Sequence, residues 1–152
     1  TVSCEPSNGS GTNGLQLYGA YRYRLETNHA KSSSIVTLDP GEIRFSNPNL
    51  GADATTGSLR AALWATTLPY RGGRLSGYRI ATYKIKFSNG MNQLRNGQHA
   101  DLIAHTLPAR IPSKGDYCMT VTLEEYSNRL CHADDNFCIV DWGTFDAAVR
   151  FN

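Results

Sequence analysis

The chain lacks any long apolar run and carries little net charge. No stretch approaches the roughly 20 apolar residues that a membrane-spanning helix needs, so we expect no membrane span. With 15 Lys and Arg against 13 Asp and Glu, the formal net charge is +2, whereas nucleic-acid-binding proteins usually carry a strongly basic face. We therefore expect no nucleic-acid partner. The 152 residues, of which 40% are hydrophobic, suffice for one globular domain and leave little room for a second.

The common catalytic motifs are also missing. The sequence has no Gly-x-Ser-x-Gly, no His-Glu-x-x-His and no glycine-rich phosphate loop that leads into a helix. Glu124, Glu125 and Asp141 lie on segments that we expect to be neighbouring strands, and two of them could form the carboxylate pair that glycoside hydrolysis needs. Alternation along a strand directs Glu124 and Glu125 to opposite faces. We therefore predict that the protein is not an enzyme.

No segment has the spacing of an amphipathic helix, because Gly and Pro interrupt every stretch long enough to hold one. Alternation of apolar and polar residues instead predicts short strands. The predicted strands are 17–25, 34–38, 42–45, 59–64, 78–87, 100–107, 117–124, 138–145 and 147–151. Short strands at this spacing predict an all-β fold, an antiparallel immunoglobulin-like β-sandwich of about seven to nine strands with disulfides.

The N-terminal residues have a different composition from the rest of the chain. Residues 1–14 are rich in Gly, Ser and Asn, which is typical of a flexible tail, and we assign 15–152 to a single sandwich domain. The start at Thr1, without Met or a signal peptide, suits a processed mature form or a trimmed chain. Asn8 begins an Asn-Gly-Ser sequon, which would be glycosylated only in a eukaryotic source.

The four cysteines are Cys4, Cys118, Cys131 and Cys138. They form no Cys-x-x-Cys pair and no zinc-finger spacing, so their even number favours disulfides, for which three pairings are possible. A bridge between Cys131 and Cys138 would close a short hairpin loop. Cys4 would then attach the tail to Cys118, on the polar face of its strand. Such bridges persist in oxidising surroundings, so we expect a secreted or cell-surface protein.

Three segments resemble a β-sandwich module of bacterial secreted and surface proteins. They are LRAALWATTLPYRGGRLSGYRIATY from Leu59, TLPARIPSKGDYCMTVTLEEY from Thr106 and IVDWGTF from Ile139. The match covers a little over half of the chain and is similar to adhesion-type, immunoglobulin-like modules such as the CARDB group. The resemblance implies a binding function without catalytic residues. The first fifty residues and the cysteine-bracketed loop after Tyr126 have no counterpart in that module.

A cluster of tyrosine and arginine residues surrounds the Gly-Gly pair of the first matching segment. Its members are Tyr70, Arg71, Arg74, Tyr78 and Arg79. Exposed Tyr and Arg are favoured at recognition surfaces, because they offer large contact area and planar hydrogen bonding. We predict that this loop, together with the loop between Cys131 and Cys138, binds an extracellular protein or a glycan. The alternative is a tight glycine turn with packed tyrosines and solvated arginines.

The cysteine-bracketed loop also gathers His132, Asp134 and Asp135. An imidazole and two carboxylates could hold a divalent cation, Ca²⁺ or Zn²⁺. The spacing is not that of an EF-hand, and polar residues are usual in an exposed hairpin loop. We favour the loop interpretation and expect no cofactor.

Two further functions stay open at this point. The N-terminal tail could add a strand to the open sheet edge of a second copy, which would make the protein a self-assembling, pilus-like or filament-forming subunit of the donor-strand type. Alternatively, the stapled loop between Cys131 and Cys138 could enter an enzyme cleft, which would make the protein a secreted inhibitor.

Overall fold

A computed structural model describes residues 3–27, 34–87, 90–101, 104–127, 131 and 135–152. These residues form twelve strands and no helix, so the all-β prediction is confirmed. None of the described residues forms a helix that could cross a membrane. The strands are β1 (Ser7–Asn8), β2 (Leu15–Tyr18), β3 (Arg22–Glu26), β4 (Ile35–Asp39), β5 (Glu42–Phe45), β6 (Leu59–Thr66), β7 (Tyr78–Lys84), β8 (His99–Asp101), β9 (His105–Pro108), β10 (Gly115–Tyr126), β11 (Phe137–Thr144) and β12 (Val149–Phe151).

The strands form three antiparallel sheets. The largest has six strands in the order β1-β11-β10-β6-β7, with β12 also paired to β10. The two smaller sheets have the orders β2-β5-β8 and β3-β4-β9. The two smaller sheets share consecutive segments of the chain, because β2 is followed by β3, β4 by β5 and β8 by β9. All three sheets contribute to one apolar core, so the arrangement is sandwich-like.

The prediction of seven to nine strands is wrong. Segment 17–25 is divided between β2 and β3, which lie in different sheets, because the chain turns at Gly19 with a φ of 95°, a value that favours glycine. Segment 100–107 is divided in the same way between β8 and β9. An additional strand, β1, forms within the predicted tail. The immunoglobulin-like topology stays a prediction.

The N-terminal segment is attached to the six-stranded sheet at several points. Ser7 and Asn8 pair with the end of β11, and the Gly9 amide donates to the Trp142 carbonyl at 3.0 Å. Cys4 is bonded to Cys118. The sequence predicted the disulfide at Cys4 but not the strand β1.

Both predicted disulfides are present. The Cα atoms of Cys4 and Cys118 are 5.6 Å apart, and those of Cys131 and Cys138 are 5.8 Å apart. None of the four cysteines is free. Two such bridges are typical of a protein that folds in an oxidising environment.

The inner face of the six-stranded sheet carries the apolar residues that alternation predicts. Leu63 on β6 and Met119 and Leu123 on β10 are fully buried. They pack against fully buried side chains of the smaller sheets, namely Leu15, Val36, Leu38, Ile43 and Phe45. Burying a side chain of this size contributes roughly 1.5–3 kcal/mol, so this face dominates the stability of the fold.

The outer face of the same sheet is also buried along β10, although its residues are mostly polar. Cys118, Thr120 and Thr122 are fully buried, and Glu124 is 2% exposed. The loop after β6 covers part of this face, since the Thr144 hydroxyl donates to the Tyr70 carbonyl at 3.1 Å. The polar face of this strand, which carries Cys118, is therefore covered rather than open to solvent.

Candidate ligand-binding site

A cavity of about 830 Å³ opens on the outer face of the six-stranded sheet. We call it the outer-face cavity. Its floor comes from β6, β10 and β11, and its walls come from the loop before β7 and from the cysteine-bracketed loop. The two loops that the sequence singled out therefore meet at one concave surface, although roughly sixty residues separate them along the chain.

A chain of hydrogen bonds lies beneath the floor. The Trp64 indole N–H donates to the Thr122 hydroxyl at 3.0 Å, and that hydroxyl donates to Glu124 Oε2 at 2.6 Å. The other oxygen of Glu124 accepts from Arg60 Nε at 2.8 Å. Because each polar group has a partner, this network can be buried without a large desolvation penalty.

Arg60 extends the network from the floor into the cysteine-bracketed loop. Its Nη2 atom lies 2.7 Å from Glu124 and 2.8 Å from Asp135, and its side chain is only 12% exposed. The guanidinium also lies 4.1 Å above the centre of the Phe137 ring, a favourable cation–π contact. One arginine thus fixes the position of the loop relative to the strands.

The environment of Asp135 keeps it ionised. Partial burial alone would raise its pKa, but the backbone N–H of Phe137 and the charge of Arg60 more than offset that effect, with a smaller contribution from Arg79. The pKa of Asp135 is therefore lowered. At neutral pH the carboxylate is a permanent anion.

The aromatic wall of the cavity depends on the Gly-Gly pair. Tyr70 packs edge-on against Trp142 with ring centres 5.0 Å apart, and its hydroxyl donates to the Gly73 carbonyl. Gly72 has a φ of 109°, and a Cβ atom there would lie 3.0 Å from the Trp142 ring. Only glycine fits this approach without strain, so the pair shapes the loop against the tryptophan.

The predicted Tyr/Arg cluster is divided by the fold. Tyr70, Arg74 and Arg79 line the outer-face cavity. Arg71 instead forms an exposed ion pair with Glu5 at 2.7 Å. Tyr78 packs edge-on against the Tyr117 ring, away from this cavity. Tyr70 is buried, with 7% of the residue accessible, which agrees with the alternative of a tight glycine turn with packed tyrosines. Its ring forms part of the cavity wall.

The candidate metal ligands are only partly within the described residues. His132 and Asp134 lie outside them, while Asp135 is bound to Arg60. Within the described ranges, no group of three or more His, Cys, Asp or Glu residues is arranged to hold a metal ion. The metal interpretation therefore stays a prediction.

The three carboxylates considered for hydrolysis have separate partners. Glu125 accepts from the Gly57 amide at 2.8 Å, and Asp141 accepts from the Leu17 amide at 2.7 Å. Burial raises the pKa of Asp141, although hydrogen bonds from backbone amides oppose the shift. Glu124 is engaged by Arg60 and Thr122 on the outer face. The described contacts bring no two of these carboxylates to a common site.

Sequence reasoning missed the residues at the base of the cavity. The sequence predicts a strand over 59–64, but its pattern does not mark Trp64 or Arg60 as part of a site. Arg60 lies directly opposite Glu124 in the register of β6 and β10, and opposite charges at such positions attract. This pairing becomes visible only when the register of the two strands is known.

Comparisons with family models and with curated proteins give no relative of this chain. No family model matches the chain, and no curated protein matches it. The resemblance to CARDB-like modules accordingly stays a prediction that depends on the three segments quoted above.

Proposed function

We propose that this chain is a non-catalytic recognition module that acts outside the cell and binds a glycan in the outer-face cavity. The observation that carries this proposal is the buried network of Trp64, Thr122, Glu124 and Arg60 under an open, aromatic-lined cavity. A buried ion pair is a weak means of stabilising a fold, since apolar side chains of similar volume often serve as well. Its advantage here is orientation, because it holds the tryptophan and arginine of the floor in one geometry before a ligand arrives.

The shape of the cavity favours a glycan over a protein ligand. A volume of about 830 Å³ is in the range of small-molecule sites, roughly 300–1,000 Å³. Stable protein–protein interfaces instead bury about 800 Å² on each partner over a broad surface. Aromatic walls can pack against the apolar C–H face of a sugar ring, while the arginines bond to its oxygens. A protein ligand is the alternative.

Two further observations support the non-catalytic, extracellular part of the proposal. The two disulfides fit an oxidising environment, as does the resemblance to surface modules. Both described carboxylates of the cavity, Glu124 and Asp135, are held by the same Arg60. The lowered pKa of Asp135 makes it unsuitable as a general acid near neutral pH.

Self-assembly is the second candidate, and one observation favours it. Among the described strands, β3 pairs only with β4 and β12 only with β10. A groove of about 1130 Å³ is lined by residues of both, including Tyr23 and Phe151. An extended segment of a second copy could pair with such an edge. The donor we expected, the N-terminal tail, is bonded through Cys4 to Cys118 of its own chain, so this candidate ranks second.

A glycan array tests the proposed function. The oxidised protein is applied to immobilised neutral and acidic glycans, in parallel with Trp64→Ala, Trp64→Phe and the control Leu50→Ala. Leu50 is 43% exposed and lines none of the described cavities. We expect binding to at least one glycan class, loss of about tenfold or more in Trp64→Ala, a smaller loss in Trp64→Phe and none in the control.

Thermal melts of each variant separate loss of binding from loss of folding, since Trp64→Phe keeps a ring on the floor if the smaller side chain destabilises the sheet. Absence of binding to every glycan, or binding that is unaffected by both Trp64 variants, would refute the proposal. Mass spectrometry of the bound glycan should show an intact chain. Shortened products would overturn the non-catalytic assignment.

A further inference from the structure

A second, smaller cavity adjoins the outer-face cavity. It has a volume of about 530 Å³, and its lining includes Tyr78, Arg110 and Pro112. Trp64 and Arg79 line both cavities, and the Arg79 guanidinium lies 5.8 Å from the centre of the Trp64 ring. The two cavities therefore share one wall, and a ligand longer than a single sugar could occupy both.

Three arginines of this double cavity lack the ion pair that most described arginines outside it form. Arg22, Arg24, Arg60, Arg71 and Arg150 each form an ion pair of 3.3 Å or shorter. Arg74, Arg79 and Arg110 form none with any acidic residue in the described part of the chain. Arg60 is already matched by Glu124 and Asp135. Among the described residues that line the double cavity, there are four arginines and two carboxylates, so these residues carry an excess of positive charge.

We infer that the double cavity binds an acidic saccharide chain, with its carboxylates on Arg74, Arg79 and Arg110 and a sugar ring against Trp64. This inference rests on the proposed function and specifies the class of glycan. A guanidinium offers two parallel N–H donors that match a carboxylate. The Trp64 ring is held in place by its N–H bond to Thr122, so little ordering is needed when a sugar packs against it.

The strands that form the floor of the outer-face cavity make an acidic peptide a less suitable ligand than a saccharide. Extended peptides that bind to sheets usually pair with an open strand edge. Here β6 lies between β10 and β7, and β10 lies between β11 and β6. Their backbone groups are used within the sheet, so recognition on the floor of the outer-face cavity depends on side chains. The edge strand β7 lines the smaller cavity, and its Ile80 carbonyl already accepts from the Arg110 amide at 2.8 Å. Rings and guanidinium groups suit a saccharide better than a peptide backbone.

Calorimetric titration tests this inference. The probes are disaccharides and hexasaccharides of hyaluronan, alginate and polygalacturonate, each with its carboxyl-reduced neutral form, and a poly-glutamate peptide. We expect at least one acidic hexasaccharide to bind more tightly than its disaccharide and at least about tenfold more tightly than its neutral form, with an affinity that falls as salt is added.

The variants Arg74→Gln and Arg110→Gln should each weaken the acidic hexasaccharide by about fivefold to tenfold, since each removes a charge-assisted hydrogen bond. Arg95→Gln is the matched control. Arg95 is exposed, makes no ion pair with a described residue and lines none of the described cavities, so we expect no change.

The failures of the two proposals are distinguishable. Equal affinity for an acidic chain and its neutral form would overturn the inference and leave the proposed glycan function intact. Equal loss of affinity in Arg95→Gln would overturn the assignment to the double cavity. Tighter binding of poly-glutamate than of any saccharide would overturn the ligand class. Binding of no saccharide at all, here and on the array, would overturn both.

Discussion

The two faces of the six-stranded sheet are buried to the same extent along β10 but by different physical means. Leu123 on the inner face is fully buried among apolar side chains. Its neighbour Thr122 on the outer face is equally buried, but within a hydrogen-bonded network. One face gains its stability from area removed from water. The other face gains little net stability and holds a fixed arrangement of polar groups.

This difference teaches that a polar face can be an interior. The cover of the outer face consists of a loop that packs Tyr70 on Trp142 and an N-terminal segment bonded through Cys4. Where the cover is incomplete, the outer-face cavity remains. The candidate binding site thus lies where the outer face of the sheet is left uncovered, and the apolar core on the inner face supports the same strands from the other side.

Removing the Cys4–Cys118 bridge, which attaches the N-terminal segment to the outer face, should have the largest effect on the free energy of unfolding. The Cys4–Cys118 bridge spans 114 residues and the Cys131–Cys138 bridge spans 7. In the chain-entropy model, the double alanine variant of the long bridge loses about 4–5 kcal/mol and that of the short bridge about 2–3 kcal/mol. Urea unfolding of both variants measures the difference. Faster hydrogen exchange at the Gly9 amide only in the long-bridge variant would show that the cover loosens, and equal losses would contradict this account.

Adjacent substitutions on β10 compare the two faces directly. Leu123→Ala should cost about 2–5 kcal/mol, because it leaves a cavity in the core. Thr122→Val keeps the volume but leaves the Trp64 N–H and one Glu124 oxygen without this partner, which should cost about 1–3 kcal/mol. Denaturation measures both, and tryptophan fluorescence should change more in Thr122→Val. A larger stability loss in Thr122→Val would mean that the outer network, not the core, dominates the fold.

Asp141 and Asp135 should change the stability of the fold with pH in opposite directions. These changes should be smaller than the effects of the substitutions above. The pKa of Asp141 is raised above 3.8, so the free energy of unfolding rises as the pH falls from that raised value toward 3.8. The pKa of Asp135 is lowered below 3.8, so its stabilising contribution is lost as the pH falls below 3.8. Asp141→Asn should remove the first trend and Asp135→Asn the second. Urea unfolding at a series of pH values over this range measures both trends. If Asp141→Asn removed the second trend and Asp135→Asn the first, the pKa directions would be contradicted.

The sequence predicted much of the inner face and little of the site. Alternation along the predicted strand 117–124 puts Met119 and Leu123 on one face, and both are buried in the core. The short loop between Cys131 and Cys138 favoured the two bridges that are present. The strand count was wrong because a turn at Gly19 moves β3 into another sheet. The sequence predicted the two loops of the outer-face cavity but not its floor, because the floor depends on the strand register that sets Arg60 opposite Glu124.

By itself, the sequence determined that the chain is all-β and which residues of β10 face the core, and it favoured one of the three possible cysteine pairings. These features follow from the alternation of apolar and polar residues along each strand and from the short loop between Cys131 and Cys138, which leaves Cys4 to pair with Cys118. Only the tertiary structure decided that the polar face is covered, that two distant loops meet over Trp64 and that three arginines stay without acidic partners among the described residues. Those features depend on long-range packing, which no local pattern encodes.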